Sequence, residues 1–314
     1  MGKYRDKEMK LFMVKIHPKT RIGHVEFKVK DLERQMAFYE NVVGLEVIKQ
    51  EGNKAYLSGK GGKNALLVLE KLEDGVLQEP RTTGIYHVAF LVPTREAFAS
   101  ALFGVLRNKN VIDSPAEQEG RYTYSNEILP ISRFNSASDH TYSEAFYLQD
   151  LEGNGIEIYA DRPRDRWGEG PGGSTPLDLK ELATFVDYEF DGLPANTVVG
   201  HVHLRIADVE KSHEFYVETV GFEVQQREED CLFISAGGYH HHIGANTWNG
   251  VNNPHPPVHA TGLKVYTIVL PYKEALDEVK ERLIEKQHEI NETTNGFVVV
   301  DPSGITVQFE IEAV

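Results

Sequence analysis

The sequence predicts an α+β protein built from four β-α-β-β-β modules. The main observation is an internal repeat, because residues 23–47 and 200–224 align without a gap at an offset of 177 positions. The two segments share 11 identities in 25 positions. Two weaker copies begin with apolar runs at 84–92 and 262–270. Matched repeats of this length indicate that one supersecondary unit occurs several times in the chain.

The two strong copies predict the same order of elements. Each opens with an alternating apolar run, which is typical of a half-buried strand. Asp31 and Asp208 then precede apolar residues at helical spacing, and aspartate is a good N-cap. Gly44 and Gly221 are expected to end the two helices. Short strands follow, at 54–59 and 64–70 in one copy and at 231–236 and 239–246 in the other.

The two weaker copies repeat this order with longer helices. Thr94 is expected to begin a helix that reaches about Arg107, and residues 273–285 form the equivalent helix. The copies close on the runs FYLQDLEGNGIEIYAD and FVVVDPSGITVQFEIE. The first strands of the four modules match at His24, His87, His201 and Lys264.

The repeat divides the chain into two halves of two modules each. We expect one domain at 21–167 and a second at 198–314, joined by a linker at 168–197 that contains the flexible run GEGPGG. Residues 1–20 are expected to form an N-terminal arm. Residues 113–140 are expected to form a long surface loop that covers a site.

The composition favours an acidic protein that acts on small molecules. The 314 residues include 33 Lys+Arg and 48 Asp+Glu, so the formal charge is 33 − 48 = −15. This excess argues against nucleic-acid and anionic-membrane partners, because both bind through lysine and arginine. No apolar run is long enough to cross a membrane, and no secretory leader is expected. The single cysteine, Cys231, suits a reducing compartment, so we expect a cytoplasmic protein that assembles as a homo-oligomer.

The four-module array, with histidines at strand starts and a late D-x-x-G-N-x-I-E run, resembles the vicinal oxygen chelate superfamily. Within this superfamily, which includes glyoxalases and bleomycin resistance proteins, the two-domain catechol 2,3-dioxygenase-like proteins fit best. The resemblance covers about residues 22–312. It implies that the four modules pair into two cupped barrels. The same scaffold supports lyases, transferases and ligand-binding proteins, so the fold alone does not identify the reaction.

The end of module two is similar to the signature of extradiol ring-cleaving dioxygenases. The resemblance implies that Glu157 binds iron, that Tyr147 hydrogen-bonds the substrate, and that His140 lies just outside the ligand shell. Leu151 and Ser138 depart from the usual signature, but neither position supplies a ligand.

The expected metal centre combines two imidazoles with one carboxylate. Such a set holds a divalent metal from one face and leaves the opposite face open for substrate and dioxygen. His87 on the first strand and Glu157 on the last strand of module two meet this need. The third ligand is left open between His201, which starts module three, and His24, which starts module one.

Module three carries a run of three histidines that module one lacks. If this run is a strand, His240 and His242 share one face, and the resemblance implies that a histidine here acts as acid and base near the dioxygen. Module four offers only Lys264 and Gln308 at the two ligand positions, and these suit iron poorly. We therefore favour a site shared by modules two and three, with His201 as the third ligand.

The predicted function is that of an extradiol dioxygenase that cleaves catechol or a substituted catechol with O2. The expected cofactor is Fe(II), with Mn(II) as the alternative. Two other functions stay open. One is a glyoxalase-like metal-dependent lyase or transferase on the same scaffold, and the other is a non-catalytic protein that binds an aromatic ligand.

Overall fold

The computed structural model describes residues 15–108, 111–113, 132–167, 173–186 and 189–312. Most of the expected N-terminal arm, residues 114–131 of the expected surface loop and part of the expected linker lie outside these ranges. The described elements follow the predicted modular order.

The first half of the chain contains modules one and two. Module one consists of β1 (Arg21–Val29), α1 (Leu32–Phe38), a π-helical segment (Tyr39–Val43), β2 (Glu46–Glu51), β3 (Lys54–Ser58) and β4 (Leu67–Lys71). Module two consists of β5 (Gly84–Leu91), α2 (Arg95–Arg107), β6 (Val111–Asp113), β7 (Ser132–Asp139), β8 (Ser143–Gln149) and β9 (Gly155–Asp161). Strand β7 corrects the last part of the loop expected over 113–140, because residues 133–139 pair with β8.

The second half begins after short elements and contains modules three and four. The short elements are a 3₁₀ turn (Arg164–Arg166), β10 (Thr175–Pro176), α3 (Leu179–Leu182) and a second 3₁₀ turn (Ala183–Phe185). Module three consists of β11 (Val198–Arg205), α4 (Val209–His213), a π-helical segment (Glu214–Val220), β12 (Glu223–Arg227), β13 (Cys231–Ser235) and β14 (Ile243–Asn246). Module four consists of β15 (Gly262–Leu270), α5 (Lys273–Glu285), β16 (Ile290–Thr293), β17 (Gly296–Val300) and β18 (Thr306–Ile311).

The described strands form two mixed sheets, and each sheet joins modules from both halves of the chain. The first sheet has the order β16-β17-β18-β15-β1-β4-β3-β2 and contains modules four and one. The second has the order β10-β7-β8-β9-β5-β11-β14-β13-β12, with β6 beside β7, and contains modules two and three. The segments 21–167 and 198–314 are therefore divisions of the sequence and do not correspond to separate sheets.

The α+β class and the pairing of four modules into two cupped units are confirmed, but the sheets do not close into barrels. Each sheet ends in an edge strand, and among the described residues β2 and β12 pair on one side only. These edges carry charged and polar side chains that are largely exposed. Charged edge strands resist further pairing, so the sheets stay open.

Capping and core packing place the helices as expected. Asp31 and Asp208 each accept the backbone N–H three residues on, at 3.1 and 3.0 Å. The helical segments end at Gly44 and Gly221, whose φ angles of 84° and 99° favour glycine. Most of the buried apolar side chains of both sheets belong to one continuous core, and Ala89, Ala145 and Tyr159 form a small separate cluster. No helix in the described part of the chain is both long and apolar enough to span a membrane.

The central strand pairs of the two sheets share one register. β1 pairs antiparallel with β15, so that Glu26 lies opposite Val265. β11 pairs antiparallel with β5, so that His203 lies opposite His87. Glu26 and His203 are repeat partners, because 26 + 177 = 203. Val265 is therefore the structural counterpart of His87.

The pairing registers of β5 and β15, each of which contains a bulge, correct the sequence match between His87 and Lys264. At the matched point each of these strands has one residue more than its partner, Tyr86 in β5 and Lys264 in β15. A bulge inserts a residue and re-aims the side chains near it. Lys264 is thus the counterpart of Tyr86, and the sequence match was wrong by one residue.

Candidate metal centre

Three side chains of metal-ligand type converge at the centre of the second sheet. His87 lies on β5, Glu157 on β9 and His201 on β11, and these strands are neighbours in the order β9-β5-β11. The Nε2 atoms of His87 and His201 lie 2.9 and 3.0 Å from Oε2 of Glu157. The two Nε2 atoms lie 3.3 Å from each other, and all three side chains are buried.

The close approach of β9 to β5 positions Glu157. A Cβ atom at Gly155 would collide with the backbone of Tyr86, so glycine allows the two strands to pair here. Parallel pairing places Glu157 opposite Ala89 from one side, and antiparallel pairing places His201 opposite Ala89 from the other. The small alanine side chain on β5 thus lies between two ligand-type residues on the strands that flank β5.

The donor set fits a divalent metal. Neighbouring ligand atoms around an octahedral ion, with bonds of about 2.1 Å, lie about 3 Å apart, and the three separations match this value. Two imidazole nitrogens and one carboxylate oxygen on one side form the facial arrangement of non-haem Fe(II) oxygenases. These ligand types also suit Mn(II), so the donors alone do not identify the metal.

The protonation states of His201 and Glu157 favour metal binding. Burial lowers the pKa of His201 to about 4, against the opposing effect of Glu157, so its ring is neutral at pH 7. Burial alone would raise the pKa of Glu157, but His201 and His87 hold it well below its usual value. Neutral imidazoles and an ionised carboxylate are the forms that bind a metal.

A cavity of about 370 Å³ opens onto His87 and Glu157. This volume is at the lower end of the range for small-molecule sites. Its aromatic lining, called the aromatic wall below, contains Tyr86, Phe233 and Trp248, and its polar lining includes serine and asparagine side chains of β7. A flat ring can therefore lie against apolar surface while its polar groups face the ligand-type residues.

Tyr147 and His140 form a hydrogen-bonded pair in the cavity wall. The Tyr147 hydroxyl lies 2.8 Å from Nε2 of His140, and Tyr147 lies opposite Glu157 in the β8–β9 ladder. Burial, and then the charge of Glu157, raise the pKa of Tyr147 well above its usual value, so its hydroxyl keeps its proton. Burial also lowers the pKa of His140, which favours its neutral form.

The aromatic wall depends on the bulge in β5, which the sequence does not show. Tyr86 and His87 are consecutive, yet both line the cavity. Trp248 contacts the Tyr86 ring edge-on at 5.5 Å, and Phe233 packs against His203 at 5.4 Å. Asn246 donates a hydrogen bond of 2.8 Å to His203, which ties this buried histidine to β14.

The three histidines at 240–242 precede the strand that was expected to contain them. β14 begins only at Ile243, and the chain before it turns at Gly237 and Gly238, whose φ angles are 59° and 68°. The strand expected over 239–246 therefore starts later than predicted, although the backbone of His242 still bonds to Ile234 and Val202. Alternation between two faces requires extended, paired backbone, so it cannot be assumed for His240 and His241.

His241 is the member of this run that lines the cavity. Its ring centroid lies 4.2 Å from that of His201. Nδ1 of His242 instead accepts a backbone N–H at 3.1 Å, and Nε2 of His240 lies 2.9 Å from Asp161. The sequence analysis named His240 and His242 at this place, and the cavity lining includes His241.

His24 lies in the first sheet, apart from the other expected ligands. Its Nδ1 atom lies 3.4 Å from the hydroxyl of Thr267. Gln308 lies opposite Thr267 in the first sheet, and Glu157 lies opposite Ala89 in the second. Gln308 therefore holds the position in the first sheet that Glu157 holds in the second. Among the described residues, the cluster of ligand atoms that includes His87 and Glu157 contains His201 and not His24.

Comparison with known sequences finds one family and two relatives. The model of the glyoxalase/bleomycin resistance protein/dioxygenase superfamily matches residues 21–158 and 198–309. A catechol-2,3-dioxygenase of Bacillus subtilis (strain 168) is 38% identical over 309 residues, which cover 95% of this chain and 100% of that protein. The metallothiol transferase FosB of Lysinibacillus sphaericus (strain C3-41) is 35% identical over 75 residues, which cover 24% of this chain and 50% of that protein.

Solved structures share the two-sheet fold. A candidate dioxygenase from Bacillus subtilis subsp. subtilis str. 168 has a TM-score of 0.62 at 13% identity, over 96% of this chain and 86% of that chain. Glyoxalase I from Zea mays has a TM-score of 0.51 at 13% identity, over 93% of this chain and 92% of that chain. At such identities the likeness supports the fold alone.

Proposed function

Because the chain belongs to the glyoxalase/bleomycin resistance protein/dioxygenase superfamily, we propose that it is a metal-dependent extradiol dioxygenase. Its substrate is catechol or a substituted catechol, and its co-substrate is O2. The observation that carries the proposal is the buried set of His87, Glu157 and His201 beside a cavity with an aromatic wall. The full-length likeness to a catechol-2,3-dioxygenase supports the same reaction.

The residues that would hold the metal are His87, Glu157 and His201. Fe(II) is the proposed ion, with Mn(II) as the alternative, since the donor types suit both. When bound, such a metal supplies a template that brings the two catechol oxygens and dioxygen together. In the overall reaction the ring carbon–carbon bond beside the two hydroxyls breaks and both oxygen atoms of O2 enter the product. No external reductant is needed.

The cavity residues bind the ring and handle its protons. Tyr86, Phe233 and Trp248 pack against the ring, and the protonated Tyr147 hydroxyl donates a hydrogen bond to a substrate oxygen. His140 holds the Tyr147 hydroxyl in place through their hydrogen bond. These contacts exclude water and fix the ring before reaction.

His241 is the proposed proton acceptor. It lines the cavity and contacts His201, so a catechol hydroxyl held near the metal ligands lies within its reach. Burial lowers the pKa of His241 well below its usual value, so the ring is neutral and has a lone pair available at pH 7. This role replaces the one expected for His240 and His242.

Oxygen consumption tests the proposal directly. The metal-free protein is loaded anaerobically with Fe(II) or, in parallel, with Mn(II), and is then mixed with catechol and air. We expect one O2 consumed per catechol and a yellow ring-cleavage product. Tyr147→Phe is expected to lower kcat about 100-fold, since acid–base and orienting groups contribute at this scale.

A protein that binds metal but consumes no O2 with any catechol would contradict the proposal. That outcome would favour a glyoxalase-like lyase or a thiol transferase, which the partial likeness to a metallothiol transferase keeps open. Binding of catechols without metal would favour a non-catalytic ligand-binding protein. The expected homo-oligomer and cytoplasmic location stay predictions.

A further inference from the structure

The cavity is larger than an unsubstituted catechol requires. Its volume is about 370 Å³. Catechol has eight non-hydrogen atoms, and even at the roughly 30 Å³ that a water molecule occupies in the liquid these take about 240 Å³. The described lining extends from Ser136 on β7 to Phe233 on β13, on opposite sides of the central strands of the second sheet. A bound catechol therefore leaves space for a substituent on its ring.

A row of side chains across three strands gives the direction of this space. Glu157 lies opposite Tyr147 in the β8–β9 ladder, and Tyr147 lies opposite Ser136 in the β7–β8 ladder. Side chains directly opposite each other on neighbouring strands share one face of the sheet. Strands about 4.8 Å apart place Ser136 roughly 10 Å from Glu157. A ring held at the metal ligands ends short of this serine, and a short substituent bridges the remaining space.

The row ends in neutral groups that form hydrogen bonds. Ser138 lies two residues beyond Ser136, so both serines are on the same face of β7, and both line the cavity. A serine hydroxyl donates and accepts hydrogen bonds without carrying a charge. These hydroxyls therefore suit a hydroxyl or an amide on the substrate, and they supply no cation for a carboxylate.

The arginines beside the serines of β7 are paired with carboxylates. The lining residues that the structure describes include no lysine or arginine. Nη2 of Arg162 lies 2.6 Å from Oδ2 of Asp139, which ends β7, and 3.3 Å from Oε1 of Glu144. Glu144 also binds Arg95, whose Nη1 atom lies 2.9 Å from Oε1 of Glu181. Three carboxylates thus pair with two arginines, and the net negative charge of this group disfavours an anionic substituent.

We propose that Ser136 and Ser138 are specificity-determining residues that select catechols with an uncharged, hydrogen-bonding substituent. The inference rests on the proposed function, because the row of side chains starts at a metal ligand. A carboxylate in the same place loses its water shell without gaining a cation. That loss costs far more than the burial of a neutral polar group that is hydrogen-bonded.

A matched pair of catechols tests the charge preference. 3,4-Dihydroxybenzamide and 3,4-dihydroxybenzoate have nearly the same shape and differ in charge. Calorimetric titration of each into the anaerobic Fe(II)-loaded chain measures binding without turnover. We expect the amide to bind at least about tenfold more tightly, since the charge of the carboxylate is left unpaired. A smaller difference, or tighter binding of the carboxylate, would overturn the proposal.

Two substitutions test whether the preference arises at β7. Ser136→Arg supplies a cation at the end of the row, so the ratio of the two affinities is expected to shift at least about tenfold towards the carboxylate. Thr293→Arg adds the same charge at an exposed position on β16, the far edge of the first sheet, and is expected to change the ratio less than about twofold. An unaltered ratio in Ser136→Arg, or an equal shift in Thr293→Arg, would contradict the assignment.

O2 consumption separates this inference from the function on which it rests. In an active enzyme kcat/KM is expected to follow the same order, with the amide above the carboxylate. If no catechol supports O2 consumption but the amide binds more tightly and Ser136→Arg shifts the ratio, the dioxygenase function is refuted and the selection by β7 stands. If catechol is consumed but the two ligands bind equally, the dioxygenase function stands and the selection is refuted.

Discussion

The two sheets share one architecture and differ in the side chains at matched positions. In the sheet of modules two and three, the three central positions hold His87, Glu157 and His201. The matched positions in the sheet of modules one and four hold Val265, Gln308 and His24. Valine offers no donor atom, and a glutamine amide carries no charge to offset that of a metal. Among the described residues, only the sheet of modules two and three thus carries a complete set of metal-ligand side chains at these central positions.

The first sheet places ion pairs where the second has its cavity. Nζ of Lys54 and Nζ of Lys264 lie 2.5 and 3.0 Å from Oε1 of Glu26, and both lysines also contact Glu70. Burial alone would raise the pKa of Glu70, but Glu26 and Lys264 help to lower it to about 2. Lys264 is the counterpart of Tyr86, so the same bulge supplies a charge in one sheet and a ring in the other.

The largest expected effect follows from changing the carboxylate ligand. Glu157→Gln gives the sheet of modules two and three the same residue type, glutamine, that the first sheet has at the matched position, Gln308. Losing a residue that hydrogen-bonds a metal ligand costs up to roughly 100-fold in metal affinity, and losing the ligand itself is expected to cost more. O2 consumption is expected to fall together with the metal affinity. Calorimetric titration with the metal measures this loss. The matched variant Gln308→Ala is expected to bind metal normally, and a loss there would break the distinction between the sheets.

A smaller effect is expected from the ion pairs of the first sheet. Glu26→Ala removes one of the two carboxylates that Lys54 and Lys264 share and leaves them only Glu70, so the free energy of unfolding is expected to fall by about 2 kcal/mol. Urea denaturation measures this change, and the metal content is expected to stay the same. Glu312→Ala, which removes an exposed pair with Arg21, serves as control and is expected to change stability by less than about 0.5 kcal/mol. Equal effects of the two variants would show that the buried cluster does not stabilise the sheet.

The smallest expected effect concerns pH. Burial lowers the pKa of His242 from 6.5 to about 3. Below pH 6.5 the unfolded chain binds a proton that the folded chain does not, so stability falls as the pH decreases from about 6.5 towards 3. From pH 7.5 to pH 6 this histidine alone is expected to cost about 0.8 kcal/mol. His242→Asn is expected to remove that part of the change in urea denaturation, and an unaltered pH dependence would contradict it.

Local signals in the sequence were sufficient to predict the elements of the fold. The helix predicted at 273–285 has those bounds in the structure, and Thr94 caps α2 as its position before the helical pattern indicated. Asp31 and Asp208 cap the helices that follow them. Such signals act over a few residues, so they can be read without knowledge of the tertiary structure.

The candidate site was only partly predictable, because bulges and turns alter which side chains share a face. The sequence analysis favoured His201 as the third ligand because module four lacked suitable donors. In the structure His87, Glu157 and His201 do come together. The bulge at Tyr86 and the late start of β14 could not be recognised from residue alternation. For this reason the sequence analysis placed the acid–base role at His240 or His242, whereas the cavity lining includes His241.

The central claim is that the metal centre lies in the sheet of modules two and three. Its most direct test is metal stoichiometry after anaerobic loading with Fe(II), in His201→Ala and in His24→Ala. These two histidines are repeat partners, so the variants remove the same side chain from matched positions. We expect one iron per chain in the unchanged protein and in His24→Ala, and none retained in His201→Ala. Iron lost from His24→Ala but kept in His201→Ala would contradict the account.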